Sequence, residues 1–429
     1  MSHAESARAH VEDLADFVAA SPSSYHAAEE VARRLEAQGF TRLDETEAWP
    51  AQRGGRYVIV RDGAAIAWVV PSNATTTTPV HVLGAHTDSP GFKLKPQPTT
   101  GARGWLQAAV EVYGGPLLNS WLDRELRLAG RLALADGRVV LAATGPLLRI
   151  PQLAIHLDRG VNNNGLVLDK QNETQPVWGL GDPIDADLLA ELAASAGADP
   201  AEVRGFDAVL ADSARGAIFG KDDAFFASGR LDDLASVHAG VVALGHVAAD
   251  GDPRAIAVLA AFDHEELGSA SRSGAAGPVL EDVLERIYAG LGADAVEVHR
   301  AYAASWCLSS DVGHSVHPNY AGKHDPVVQP VLGSGPILKL NANQRYATDA
   351  VGSAAWRAWC ESAGVSTQEF VSNNDVPCGS TIGPITATRL GIRTVDVGIP
   401  ILSMHSAREL AGVSDLHDLA AVAKAFFTA

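Results

Sequence analysis

Val80-His-Val-Leu-Gly-Ala-His86-Thr87-Asp88 is the stretch that decides the fold: a short, buried-looking run that ends directly on an imidazole and a carboxylate. A run of this length rich in Val and Leu is read as a β-strand over Val80 to Ala85. The strand-to-loop junction that follows is where open α/β sheets place their ligands. Upstream, Tyr57 to Arg61 and Ala65 to Val70 flank Asp62-Gly63, a strong hairpin signal. Before them lie two helices broken at Ser21-Pro22-Ser23, the second starting at Ser24 as N-cap and stopping before Gly39. Downstream the texture changes at about residue 92. Trp105–Tyr113, Leu126–Leu134 and Arg138–Thr144 read as strands joined by turns, and helical periodicity is weak until Asp185–Ala196. From Asp232 the α/β rhythm returns, with a helix to about Ala248 and a strand at Ala255–Phe262. A helix near 278–290, a strand near Ala303–Leu308 and a helix at Thr348–Ala363 follow, then the strand Thr394–Val397 and a helix from about Asp415. The expected architecture is therefore α/β, with a mixed-sheet domain over residues 1–91 and 226–429 interrupted by a β-rich insertion over 92–225.

Composition narrows the function. The chain has 429 residues, with 33 Lys+Arg against 51 Asp+Glu, a formal charge of −18. With 47% hydrophobic and 20% charged residues it is a globular rather than a disordered sequence. The acidic balance argues against nucleic acid or an anionic membrane surface as a general partner. No run of 18 apolar residues is present, and the N-terminal segment MSHAESARAHVEDLADF lacks the apolar core of a signal peptide, so a cytoplasmic location is expected. Cys307, Cys360 and Cys378 are too few and too scattered for a disulfide framework or a zinc knuckle.

Five segments put acids or imidazoles at a strand end or a helix start. They are His86-Thr-Asp88, Arg230-Leu-Asp232-Asp233, His264-Glu265-Glu266, Ser310-Asp311-Val-Gly-His314 and Met404-His405-Ser406. Singly each is weak. Together they matter because charge at the mouth of a sheet is costly unless it is paired or metal-bound. Histidines and carboxylates without cysteine suit zinc, manganese or cobalt. Two metals sharing a site need a bridging carboxylate and further ligands on each, which is the stock present here. Glu265 and Glu266 are neighbours, so one can ligate while the other serves as base. His86 and Asp88 share a face of extended chain, which lets Asp88 hold His86 in its ligating tautomer. These residues point to a metal-dependent hydrolase.

The blocks GAHTDSPGFKLKP (84–96), LAIHLDRGVN (153–162), GRLDDLAS (229–236), FDHEELGS (262–269), SSDVGHSVHPNY (309–320), NQRYATDA (343–350), NNDVPCGSTIGPI (373–385) and MHSARELAG (404–412) resemble, in order, those of the aspartyl aminopeptidase family of di-zinc exopeptidases. The match runs over nearly the whole chain. The resemblance implies two zinc ions per subunit, with manganese or cobalt as possible substitutes, bridged by Asp232. Glu266 and His405 would complete one metal site, and His86 and Asp311 the other. It further implies Glu265 as general base and Asp88 as the acid that orients His86. Hydrolysis of the N-terminal residue of peptides, with Asp or Glu preferred, would then proceed through a hydroxide bridging the two zinc ions. The insertion would make a dimer in which His156 reaches the partner's active site, and dimers would assemble into a tetrahedral dodecamer.

Two positions depart from the family. Asp233 stands where many relatives have Asn, and Asn343 where some carry Lys, so the cation that would read an acidic substrate side chain falls to Lys339 or Arg345. His314 and His317 are assigned loop or supporting roles, and Cys378 that of a packed thiol. Two other readings use the same residues: a related metal-dependent deacylase or carboxypeptidase, and an inactive metal-bound assembly or carrier protein.

Overall fold

The structure is a computed structural model that describes residues 2–250 and 253–429. Its centre is a nine-stranded mixed sheet. The middle strands are Ile256–Phe262, Val80–His86, Trp306–Ser310 and Arg393–Gly398, adjacent in that order and mutually parallel. Ala64–Val69 and Arg56–Arg61 extend one side antiparallel, and Thr41–Arg42 closes that edge. Ile337–Lys339 and Gln368–Phe370 complete the other side.

Each residue of Val80–His86 and of Ile256–Phe262 is buried, because both faces of the sheet are covered. The pleat divides them by parity. Leu83, Ala85, Ala257, Leu259 and Ala261 join a core that also contains the helices His3–Ala20, Leu231–Asp250 and Val413–Thr428. Val80, Val82, Ile256, Val258 and Ala260 face a second core beneath the helix Val279–Leu291. Truncating a side chain such as Leu259 to Ala would cost about 2–5 kcal/mol, since it is fully enclosed. Among the described residues, no helix is long and apolar enough to cross a membrane.

A second, six-stranded antiparallel sheet is built from residues 91–212. Its own core centres on Phe92, Leu128, Leu132 and Leu210, with the helix Leu188–Ser195 packed against it. A third sheet joins Ala217–Phe219, Phe225–Ser228, Glu409–Gly412, Pro400–Leu402 and Gly313–His314. The residues on either side of the expected boundary at 225/226 therefore lie in one strand.

Local differences have local causes. Ser23, not Ser24, caps the second helix, Ser24–Glu36. The strand expected near Ala303–Leu308 begins at Trp306, because Asp294 and Glu297 form a capping box that starts a helix running to Ala303. Strand Gly91–Ala102 was not foreseen: Pro96 and Pro98 disguise it, and its pairing register shifts between Leu94 and Thr99, which brackets them.

Candidate metal centre

The parallel strands deliver their ends to one place. Phe262 pairs opposite His86, so Glu265 and Glu266 emerge beside that imidazole. Ser309 pairs opposite Gly84, which sets Asp311, two residues on, level with His86. Asp232 enters at the start of the long helix Leu231–Asp250, and its peptide bond to Asp233 is cis. His405 follows the short strand Pro400–Leu402. Arg230, His264 and His405 all adopt left-handed backbone at φ of 61°, 62° and 65°, unusual for non-glycine residues and typical of functional loops.

Asp232 stands at the centre. Its Oδ1 lies 3.1 Å from His86 Nε2, and its Oδ2 lies 3.4 Å from His405 Nε2. On the His86 side, Asp311 Oδ1 is 3.9 Å from the same Nε2. On the other, Glu266 Oε1 is 3.6 Å from His405 Nε2. The ligating atoms of His86, Asp232 and Asp311 form one tight group, and those of Asp232, Glu266 and His405 another. Glu265 groups with His86 and Glu266. The six residues expected from sequence as ligands or base are thus brought together.

Both imidazoles are held in the same tautomer. His86 Nδ1 is 3.0 Å from the Asp88 carbonyl, and His405 Nδ1 is 2.9 Å from the Gly115 carbonyl. A carbonyl oxygen only accepts, so each Nδ1 carries a proton, and each Nε2 is turned towards Asp232, where a bound cation would take the place of its proton. The Asp88 carboxylate also approaches His86 Nδ1 at 3.4 Å. It does more: Oδ1 accepts from the Glu265 amide at 3.0 Å and Oδ2 from the Glu266 amide at 3.2 Å. Asp88 therefore fixes the base candidate and one ligand as well as the imidazole.

The electrostatics fit divalent cations. Burial first, then Asp311, Asp232 and Asp88, push Glu265 up to about 7, while His86 opposes. Burial and Asp232 push Glu266 up to about 9. At His405 burial opposes protonation, but Asp232 and Glu266 outweigh it and push the ring up to about 10. A crowd of buried acids around two imidazole nitrogens, with one carboxylate facing both of them, is the donor set for zinc-class ions.

Two supporting residues escaped the sequence reading, and a third, Arg230, stood in a candidate segment without a role. Tyr113, at the end of an insertion strand, donates its hydroxyl to Asp88 Oδ2 at 2.8 Å. Glu409 is buried and accepts from the Asp232 amide at 3.0 Å and the His405 amide at 2.9 Å. The Arg230 guanidinium donates to the Thr87 carbonyl behind the site. Glu409 lies within a quoted block, but an acid inside a strand carried no spacing signal. Asp233 is fully buried, and its Oδ2 accepts from the His86 amide at 3.3 Å, so it supports the backbone of a ligand.

The remaining candidates are spread out. A cavity of about 620 Å³ opens beside the acids and is lined by Lys339, His314, Lys323, His324, Tyr346 and Asn373 among others. Lys339 is buried, donates to the Val312 carbonyl at 2.8 Å and lies 3.4 Å from Asp311 Oδ2. Arg345 is exposed, with its Nε donating to the Gly379 carbonyl at 3.2 Å, and it does not line the cavity. His156 is exposed in the irregular segment of the insertion and belongs to no described metal group.

The sequence model of the Aminopeptidase I zinc metalloprotease (M18) family matches residues 17–427. The chain belongs to the M18 family. A Streptomyces coelicolor protein named "Probable M18 family aminopeptidase 2" is 56% identical over 422 residues, covering 98% of each chain. Among solved structures, the mApe1 dodecamer of S. cerevisiae is similar with a TM-score of 0.85 at 32% identity, covering 97% of this chain and 95% of that one. The Thermotoga maritima M18 aminopeptidase shares the fold at a TM-score of 0.87 and 22% identity, covering 99% and 96%. The chain is thus a metalloaminopeptidase of a zinc-dependent family.

Proposed function

We propose that this M18 member removes N-terminal Asp or Glu from peptides with two zinc ions per subunit, Asp232 bridging them and Glu265 acting as general base. The observation that carries this reading is the placement of one Asp232 oxygen at each of two histidine Nε2 atoms, with Glu265 alongside. His86 and Asp311 would hold one ion, and Glu266 and His405 the other. Bound there, the ions would polarise the scissile carbonyl and lower the pKa of a water shared between them. Glu265, grouped with His86 and Glu266 beside both sites, is suited to take that proton and return it to the leaving amine. Asp88 holds the Glu265 amide and so fixes where that proton is received.

For an acidic side chain, Lys339 is the buried cation in the cavity. Its ammonium has three donors, of which the Val312 carbonyl and Asp311 occupy two, leaving one for substrate. Arg345 would need to turn inward from the surface to share this role. We assign the insertion, residues 92–225, to a dimer interface, with His156 reaching a partner's cavity and a tetrahedral dodecamer built from the dimers. Exposed Leu153, Ile155, Leu157 and Val167 around His156 support such an interface, as does the dodecamer described for the yeast relative.

The test is a panel of aminoacyl chromogenic substrates run on the wild-type chain and on Glu265→Gln. Asp and Glu derivatives should turn over fastest, and Glu265→Gln should keep its metals while losing about 100-fold or more in kcat. Faster cleavage of Leu derivatives would remove the acidic preference, and a fully active Glu265→Gln would remove the base.

A further inference from the structure

A second group of metal-ligating side chains lies away from the catalytic centre. His3, in the first turn of the N-terminal helix His3–Ala20, meets His417 and Asp418 of the C-terminal helix Val413–Thr428. His3 Nε2 is 2.8 Å from Asp418 Oδ1, and His417 Nδ1 is 3.4 Å from the same oxygen. The two rings stand edge to face with centroids 5.0 Å apart. One donor atom from each of the three residues lies within 4.8 Å of the others.

We propose that His3, His417 and Asp418 form a third metal site, taking one divalent ion of the zinc or cobalt class and clipping the first turn of the chain to its last helix. Two imidazoles and a carboxylate are a donor set that zinc accepts, with solvent filling the open position. A tetrahedral ion with bonds of about 2.0–2.1 Å separates its donors by roughly 3.4 Å. The His417–Asp418 spacing of 3.4 Å already matches, the His3–Asp418 spacing of 2.8 Å must open by about 0.6 Å, and the two imidazole donors lie within 4.8 Å of each other. His3 is 60% exposed and His417 26%, so the ion has an open path, whereas Asp418 is 14% exposed and fixed. Behind the site, His10 stacks edge-on against His417 at 5.9 Å and against His238 at 4.7 Å.

The site differs from the catalytic one in what it joins. It links two helices that already pack together in the same core, near both termini, and none of its residues reaches Asp232 or the cavity. Binding there stabilises the folded chain, because His3 is 415 residues from Asp418 in sequence and is not held beside it once the chain unfolds.

The experiment uses the chain without an added tag, so that no tag histidines compete with His3 for metal. Wild type, His3→Ala/His417→Ala and Asp418→Asn are each equilibrated with low micromolar zinc, and metal per chain is counted after desalting. The same samples are melted with and without added zinc. Both variants should carry one ion fewer than wild type, keep the wild-type peptidase rate, and show a smaller zinc-dependent rise in Tm than wild type. Equal metal counts and equal zinc-dependent Tm shifts in all three proteins would overturn the proposal. So would a wild-type response that needs millimolar zinc, which marks an adventitious ion only. Counting relative to wild type keeps the result independent of how many ions the catalytic centre holds.

Discussion

Asp88→Asn is the perturbation that tests most of the site at once. The carboxylate accepts from the Glu265 amide, the Glu266 amide and the Tyr113 hydroxyl, and it approaches His86 Nδ1. Asparagine keeps the shape but replaces one oxygen with an NH2 group, which cannot accept. If the amide oxygen faces Glu265, the Glu266 amide and the Tyr113 hydroxyl lose their acceptor; the opposite flip strands the Glu265 amide. A hydrogen bond to a charged group contributes about 1.5–3 kcal/mol, and a neutral one about 0.5–1.5. The exchange therefore costs on the order of 2 kcal/mol, equivalent to roughly 30-fold in an equilibrium or rate constant. That lies within the 10–100-fold range expected when a supporting partner of a metal ligand is removed. The assay is zinc titration in a metal buffer together with kcat at saturating zinc. Zinc affinity should fall by one to two orders of magnitude, and kcat should remain low after zinc is restored, because Glu265 is also displaced. An Asp88→Asn protein with wild-type zinc affinity and wild-type kcat would refute the reasoning.

Other outcomes follow from single contacts. Tyr113→Phe removes one donor to the Asp88 carboxylate without opening a cavity, so kcat should fall about 10-fold while the melting temperature changes little; an unchanged kcat would deny Tyr113 a positioning role. Gly398→Ala would place a Cβ 1.7 Å from the Asp311 carbonyl oxygen, so the backbone of a proposed ligand must move; loss of one metal and of most activity is expected, measured by metal counting and rate. Burial, with Arg230 and Arg127, lowers His26 to about 4 from its ordinary 6.5. The unfolded chain therefore binds a proton there before the native one does. Stability is complete above about pH 6.5 and is lost as pH falls towards 4, by up to roughly 3 kcal/mol. Urea midpoints should drop more between pH 7 and pH 5 in wild type than in His26→Gln, and parallel profiles would contradict this.

The centre of the fold was readable because its signals are local. Val80–Ala85, broken only by His81, and Ile256–Phe262 are apolar runs that lead into polar residues, and the structure sets those ends side by side. Asp62-Gly63 marked its hairpin for the same reason: a turn is chemistry over a few residues. What stayed hidden depends on distant partners. Tyr113 looks like the end of an ordinary strand until the insertion folds it against Asp88. Glu409 looks like a strand residue until its carboxylate is found receiving two amides from the metal-site loops. The Gly115 carbonyl, which sets the tautomer of His405, has no side chain to announce it. Lys339 read as a free cation, whereas Asp311 and the Val312 carbonyl already hold it.

The central claim is that Asp232 bridges two metal ions. Anomalous diffraction at the zinc edge from crystals of the active, zinc-loaded chain tests it directly. Two peaks should flank Asp232, each about 2.0–2.2 Å from one of its oxygens, one adjoining His86 and Asp311 and the other Glu266 and His405. A fully active crystal with a single peak, or with no peak beside Asp232, would contradict the account.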